Sequence, residues 1–195
     1  RWIVNSVRYK TNNFKDLIQY EVQLLAHNLS YDIRFILDSV GCNGVLQKGS
    51  KTLTSDCFYM VPKGSNDNED CNDVGSFSIN FKVRDTLCMI NMPLSAFGKT
   101  FGLEMEKDVM PYKLYTKENI AKRCCSVEEA EEVFRASDDA DKIPQFLRNL
   151  EKLRLVRNGV FDIMEYARYY CEKDTKVLRL GYEKFRKWIL DALKI

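Results

Sequence analysis

Val22 to Ala26 form a short apolar run, and from Leu29 the spacing of Leu29, Ile33, Ile36, Leu37 and Val40 turns helical. This predicts a buried strand passing directly into a helix that closes at Gly41 to Gly44, with Asn28 and Asp32 at the junction. Two β-rich runs, 44–47 and 52–61, predict a hairpin across Lys48 to Lys51, and residues 76–84 alternate as a strand leading into Asp85, Thr86 and Leu87. Upstream, 2–9 alternates loosely like a strand and 14–20 reads as a helix; residues 62–75 are a polar loop. A short helix is predicted over 93–103, ending at Gly102. From 110 to 159 the pattern becomes charged and helical, with helices over Val127–Arg135 and 143–156 joined by an acidic turn at 137–141. The last element is one long amphipathic helix over 166–193.

Two carboxylates stand out against this pattern. In α/β folds ligands gather beyond the C-terminal ends of strands, which is where Asp32 falls. Taken alone, the plainer reading is that Asn28 caps the helix and Asp32 complements its dipole. Asp174 lies four residues after Tyr170 and four before Leu178, on the apolar stripe of the last helix. A carboxylate there must be paired, hydrogen-bonded or metal-bound, and the Tyr170 hydroxyl one turn away shares its face. An ion pair with Lys or Arg is the plain alternative.

Composition narrows the class. With 195 residues, 45% hydrophobic and 30% charged, the chain has enough sequence for one well-buried α/β domain, and no run approaches a membrane span. The net charge of +2 gives no strongly basic face, so any DNA contact would be a local groove. Seven cysteines without C-x-x-C spacing and a single histidine, His27, argue against zinc and for reduced thiols in an intracellular compartment. The acidic cluster of the 62–75 loop lacks the glycine and terminal glutamate of a calcium-binding hand and reads as a solvated loop.

N-L-S-Y-D at Asn28 to Asp32 and Y-C-E-K-D at Tyr170 to Asp174 resemble the second and third motifs of the 3′–5′ exonuclease domain of family B DNA polymerases, more narrowly the protein-primed branch of viruses and linear organellar plasmids. The block from Arg84 to Lys107 is similar to the Ser/Thr-Leu region that those enzymes use to hold single-stranded DNA. The resemblance covers most of the chain from about residue 20 and is weakest over 113–160. It implies the ribonuclease-H-like exonuclease fold, a mixed sheet flanked by helices, with 113–160 as a helical insertion before the last long helix. It also implies hydrolysis by two divalent ions, Mg2+ or Mn2+, about 4 Å apart. Asp32 and Asp174 would be two of four carboxylate ligands, and Tyr170 would orient the nucleophilic water. Lys107 would steady the scissile phosphate, while His27, Asn28, Phe35, Thr86 and Leu87 would grip the single-stranded 3′ end. Implied partners are DNA and a terminal priming protein; implied locations are a viral replication site, a mitochondrion or a host cytoplasm.

One departure matters. The first motif, an Asp-x-Glu on the first strand, has no counterpart in residues 1–27. The chain therefore reads as the middle and end of a proofreading domain from a larger DNA polymerase, expected to be inactive alone. Two other readings remain open: a non-catalytic scaffold that positions DNA or a priming protein, and a free-standing DNA exonuclease. Without the motifs, His27 would be an ordinary half-buried histidine, Phe35 and Leu87 core residues, Thr86 a helix cap and Lys107 a surface lysine.

Overall fold

The computed structural model describes residues 22–61 and 77–194, side chains at 60, 61 and 77–79 excepted. The strand expected over 2–9, the helix over 14–20 and the polar loop over 62–75 lie outside the described residues. The chain divides into two units, 1–91 and 92–195, and each is described by itself.

In the first unit, β1 (Val22–Ala26) passes into α1 (Leu29–Ile36), followed by β2 (Gly41–Lys48), β3 (Lys51–Val61) and β4 (Phe77–Asp85). The sheet order is β1-β4-β3-β2; β1 runs parallel to β4 and the other two pairings are antiparallel. The mixed sheet flanked by helix is consistent with a ribonuclease-H-like exonuclease fold. Leu29 and Ile33, one turn apart on α1, are buried on Cys57, Phe81 and Val83, which face them from β3 and β4. The parallel register sets Ala26 beside Asp85, so both strands end at the same edge.

The α1 helix is shorter than its periodicity predicts. It ends at Ile36, with the Leu37 N–H donating to Ile33, and Gly41 opens β2 rather than closing the helix. Gly41 pairs with Phe58, whose ring would lie 2.0 Å from a Cβ at that position. The glycine admits a ring; it does not terminate a helix. The hairpin turns at Gly49, φ 61°, between the paired Lys48 and Lys51.

The second unit opens with a 3-10 turn (Leu94–Ala96) and α2 (Phe97–Phe101), closed by Gly102 in the left-handed conformation. There follow α3 (Lys117–Lys122), β5 (Cys124–Ser126), α4 (Val127–Arg135), α5 (Ile143–Leu153), β6 (Val156–Arg157), β7 (Val160–Asp162) and α6 (Ile163–Leu193). Ser126 and Glu129 form a capping box on α4, and Asp162 accepts the Met164 and Glu165 N–H groups to start α6.

The helix expected over 143–156 stops at Leu153, and a three-stranded sheet of order β5-β7-β6 occupies part of what reads as purely helical sequence. Its strands are two or three residues long, too short for a period of two to register. The missed signal is Asn158-Gly159, both at positive φ, the pair that favours a tight hairpin. An aromatic core of Phe134, Phe146, Phe161 and Tyr166 joins this segment to the first turns of α6. Gly181 on α6 lets Phe97 approach to 2.3 Å from where a Cβ would stand, seating α2 against the helix. No described helix is long and apolar enough to cross a membrane, and none of the six described cysteines is in a disulfide.

Candidate active site

At the C-terminal ends of β1 and β4, one buried carboxylate organises two loops. Asp85, 3% exposed, accepts the Asn28 N–H at 3.0 Å and the Leu87 N–H at 2.9 Å through the same Oδ1. Thr86, fully buried, donates its hydroxyl to the Ala26 carbonyl at 2.9 Å and pairs with His27 Nδ1 at 3.0 Å. Because the single hydroxyl proton is committed to Ala26, Nδ1 of His27 is the donor in that pair. The structure thus brings together four sequence candidates, His27, Asn28, Thr86 and Leu87, through hydrogen bonds across the two parallel strands.

Asn28 does not cap α1 through its side chain. It sits at φ 70°, ψ 51°, a left-handed conformation that asparagine tolerates better than most residues, and its backbone N–H is held by Asp85 instead. Asp32 follows in the first turn on the exposed side of α1. Local desolvation and then the neighbouring Asp85 charge raise its carboxyl above the usual carboxylate range. Phe35 is 67% exposed and meets the equally exposed Tyr31 edge-on, ring centroids 5.3 Å apart. Phe35 is not core, and Tyr31, four residues earlier on the same helix face, completes an aromatic pair that sequence reading passed over. Thr86 lies inward, so what it offers a ligand is the setting of His27.

In the second unit, Lys107 Nζ lies 3.4 Å from Asp174 Oδ2 and 5.5 Å from the Tyr170 ring centroid. The other Asp174 oxygen, Oδ1, is buried and has no hydrogen-bond partner. The lysine therefore answers only half of the question posed by a carboxylate on an apolar stripe. Tyr170, 6% exposed, pairs its hydroxyl with that of Tyr112 at 2.5 Å. Burial, then the Tyr112 hydroxyl and the Asp174 carboxylate, push the Tyr170 hydroxyl far above its usual range, so it is a protonated donor throughout the physiological range. Tyr112 is the other residue that sequence reading missed; no spacing rule links positions 58 apart.

A buried, unpartnered carboxylate oxygen such as Asp174 Oδ1 is the kind of donor that a hard cation such as Mg2+ or Mn2+ takes. Among the described residues no group of three or more His, Cys, Asp or Glu side chains could hold a metal ion.

The four-stranded mixed sheet with a helix packed on it defines an α/β protein consistent with the ribonuclease-H-like exonuclease fold. Comparison with known families makes this specific: residues 15–195 match DNA polymerase type B, organellar and viral, and the chain belongs to that family. DNA is accordingly its partner. No curated protein and no solved structure matches the chain.

Proposed function

We propose that this chain is the 3′–5′ proofreading exonuclease region of its polymerase, removing 3′-terminal nucleotides from single-stranded DNA during replication. The observation that carries this reading is the orphaned Asp174 Oδ1, buried beside a lysine and a buried tyrosine hydroxyl. Hydrolysis needs carboxylate oxygens for divalent ions, a cation for the phosphate and a hydroxyl to aim a water, and residues 107–174 supply one of each.

Asp32 and Asp174 would each ligate Mg2+ or Mn2+, which when bound would activate the attacking water and stabilise the leaving 3′ oxygen. Lys107, paired to only one Asp174 oxygen, offsets negative charge on the scissile phosphate. Tyr170, locked in its protonated form, donates to the water or phosphate and holds it in line. Upstream, Phe35 with Tyr31 provides a stacking platform, while His27, Asn28 and Leu87 offer polar and apolar contacts to the strand. Single strands are held in this way without a strong positive field, as the net charge of +2 requires. A terminal priming protein is a further partner on this reading.

One observation favours the non-catalytic scaffold instead: the absence of a three-ligand cluster among the described residues. A single assay separates the two. Full-length protein with Mg2+ or Mn2+ should release 5′-mononucleotides from single-stranded DNA. Asp32→Ala and Asp174→Ala should each abolish release while DNA is still bound. A full-length protein that binds DNA but releases no nucleotide with either metal would leave the scaffold.

A further inference from the structure

We propose that Asp108 is a positioning residue for excision, setting the loop that carries Lys107 and the rotation of α6 that presents Tyr170 and Asp174; this rests on the exonuclease reading above.

The Asp108 side chain is completely buried and its hydrogen bonds go to none of the candidate site residues, yet it is the most heavily hydrogen-bonded carboxylate described. Its Oδ1 accepts the Val109 N–H at 2.9 Å, the Gln145 amide at 3.0 Å and the Asn149 amide at 2.5 Å. Its Oδ2 accepts the Tyr169 hydroxyl at 2.8 Å and the Lys173 ammonium at 2.6 Å. Burial alone would push this carboxyl up, but the Lys173, Tyr169, Val109 and Asn149 donors outweigh it and hold the group ionised, below the usual carboxylate range. Two donors come from α6, two from α5 and one from the loop itself.

The sequence spacing gives this network its consequence. The three candidate site residues of this unit adjoin the network in sequence: Lys107 precedes Asp108 itself, Tyr170 follows Tyr169, and Asp174 follows Lys173. Tyr169 and Lys173 are one turn apart on α6, as are Tyr170 and Asp174, and consecutive helical residues are rotated by about 100°. Fixing the first pair on a single carboxylate fixes the direction of the second. The same loop is pinned again where Tyr166 donates to the Val109 carbonyl at 2.8 Å. A buried ion pair is a weak stabiliser compared with apolar packing, but it imposes registry that apolar packing does not. Here the registry sets the 3.4 Å approach of Lys107 to Asp174.

The test uses the full-length protein and single-turnover excision of single-stranded DNA. Asp108→Asn should slow excision about 10- to 100-fold, the usual range for residues that orient ligands, with DNA affinity within about 3-fold and DNA synthesis retained. Combined with Lys107→Ala it should cost less than the product of the two separate losses, because the two changes share the Lys107–Asp174 arrangement. Should Asp108→Asn fail to fold, Tyr169→Phe removes a single donor and should show the same non-additivity with a smaller loss. Losses that multiply in the double variant, excision unchanged in Asp108→Asn, or an equal fall in DNA synthesis would each overturn the proposal. Asp174→Ala in the same series separates the two readings. If it leaves excision intact, the exonuclease reading itself fails; if it abolishes excision while Asp108→Asn is silent, only the positioning role fails.

Discussion

At the strand ends of the first unit, Asn28 and Leu87 are held by their backbone N–H groups on Asp85, and their side chains are left to act; in the second unit, Lys107, Tyr170 and Asp174 are placed by side chains of their chain neighbours on Asp108. Both devices use one buried carboxylate. The first braces two loops a few residues long, whereas the second braces a loop against two helices, with partners 37 to 65 residues away. A backbone clamp tolerates change in the residues it presents and fails when the clamp itself is lost. A side-chain brace spreads the dependence over every donor that reaches it.

The largest effect should come from the presented residues of the second unit. Removing the Asp174 carboxylate takes away the unpartnered oxygen, and excision should fall on the order of 10³-fold, measured as single-turnover nucleotide release. Tyr170→Phe should slow the same step less while metal binding persists; an unchanged rate would remove Tyr170 from the mechanism.

Breaking the clamp in the first unit should cost stability before activity. Asp85→Ala leaves the Asn28 and Leu87 N–H groups without their acceptor, which should destabilise the protein by about 2–3 kcal/mol in denaturant titration. A presented residue should behave oppositely. Phe35→Ala should leave stability unchanged and weaken single-strand binding by about 1–3 kcal/mol, the worth of one stacked base. If Phe35→Ala unfolds the protein while Asp85→Ala does not, the comparison is the wrong way round.

The smallest effect is a pH signature of the brace. The Asp108 carboxyl is held down against the cost of its burial, so its contribution is full above the unfolded value near pH 4 and is lost as pH falls through the folded value. Desolvation pulls the Lys173 ammonium down, but Asp108 and then Tyr169 outweigh it and shift the group up, so its contribution is full below about pH 10 and is lost as pH rises through the folded value. The stability difference between the natural protein and Asp108→Asn should therefore be flat across neutral pH and shrink at both extremes. A difference that grows on acidification would mean that the carboxyl is not ionised in the folded state.

Much of this arrangement is legible along the chain because its signals are local. The strand over Val22–Ala26, the hairpin across Lys48 to Lys51, the Gly102 stop and the long final helix follow from runs, periods and glycines within one window. What escapes a local reading depends on partners distant in sequence. Gly41 looks like a helix stop until Phe58 is seen opposite it. Asp85 looks like the end of a strand until it is found between two loops, and nothing local marks Asp108, on which five donors converge, three of them from residues 41 to 65 positions away and one from 37. The burial of Tyr170 and of one Asp174 oxygen is legible in helical spacing, because both fall on the apolar stripe; Tyr112 has no such mark.

If Asp32 and Asp174 ligate divalent ions serving hydrolysis, both should govern manganese binding to the full-length protein with DNA absent, read by electron paramagnetic resonance. Asp32→Asn and Asp174→Asn should each lower Mn2+ affinity at least about tenfold, and Lys107→Ala should not weaken it, since it removes a competing cation from Asp174. Mn2+ affinity unchanged in both carboxylate variants would contradict the account.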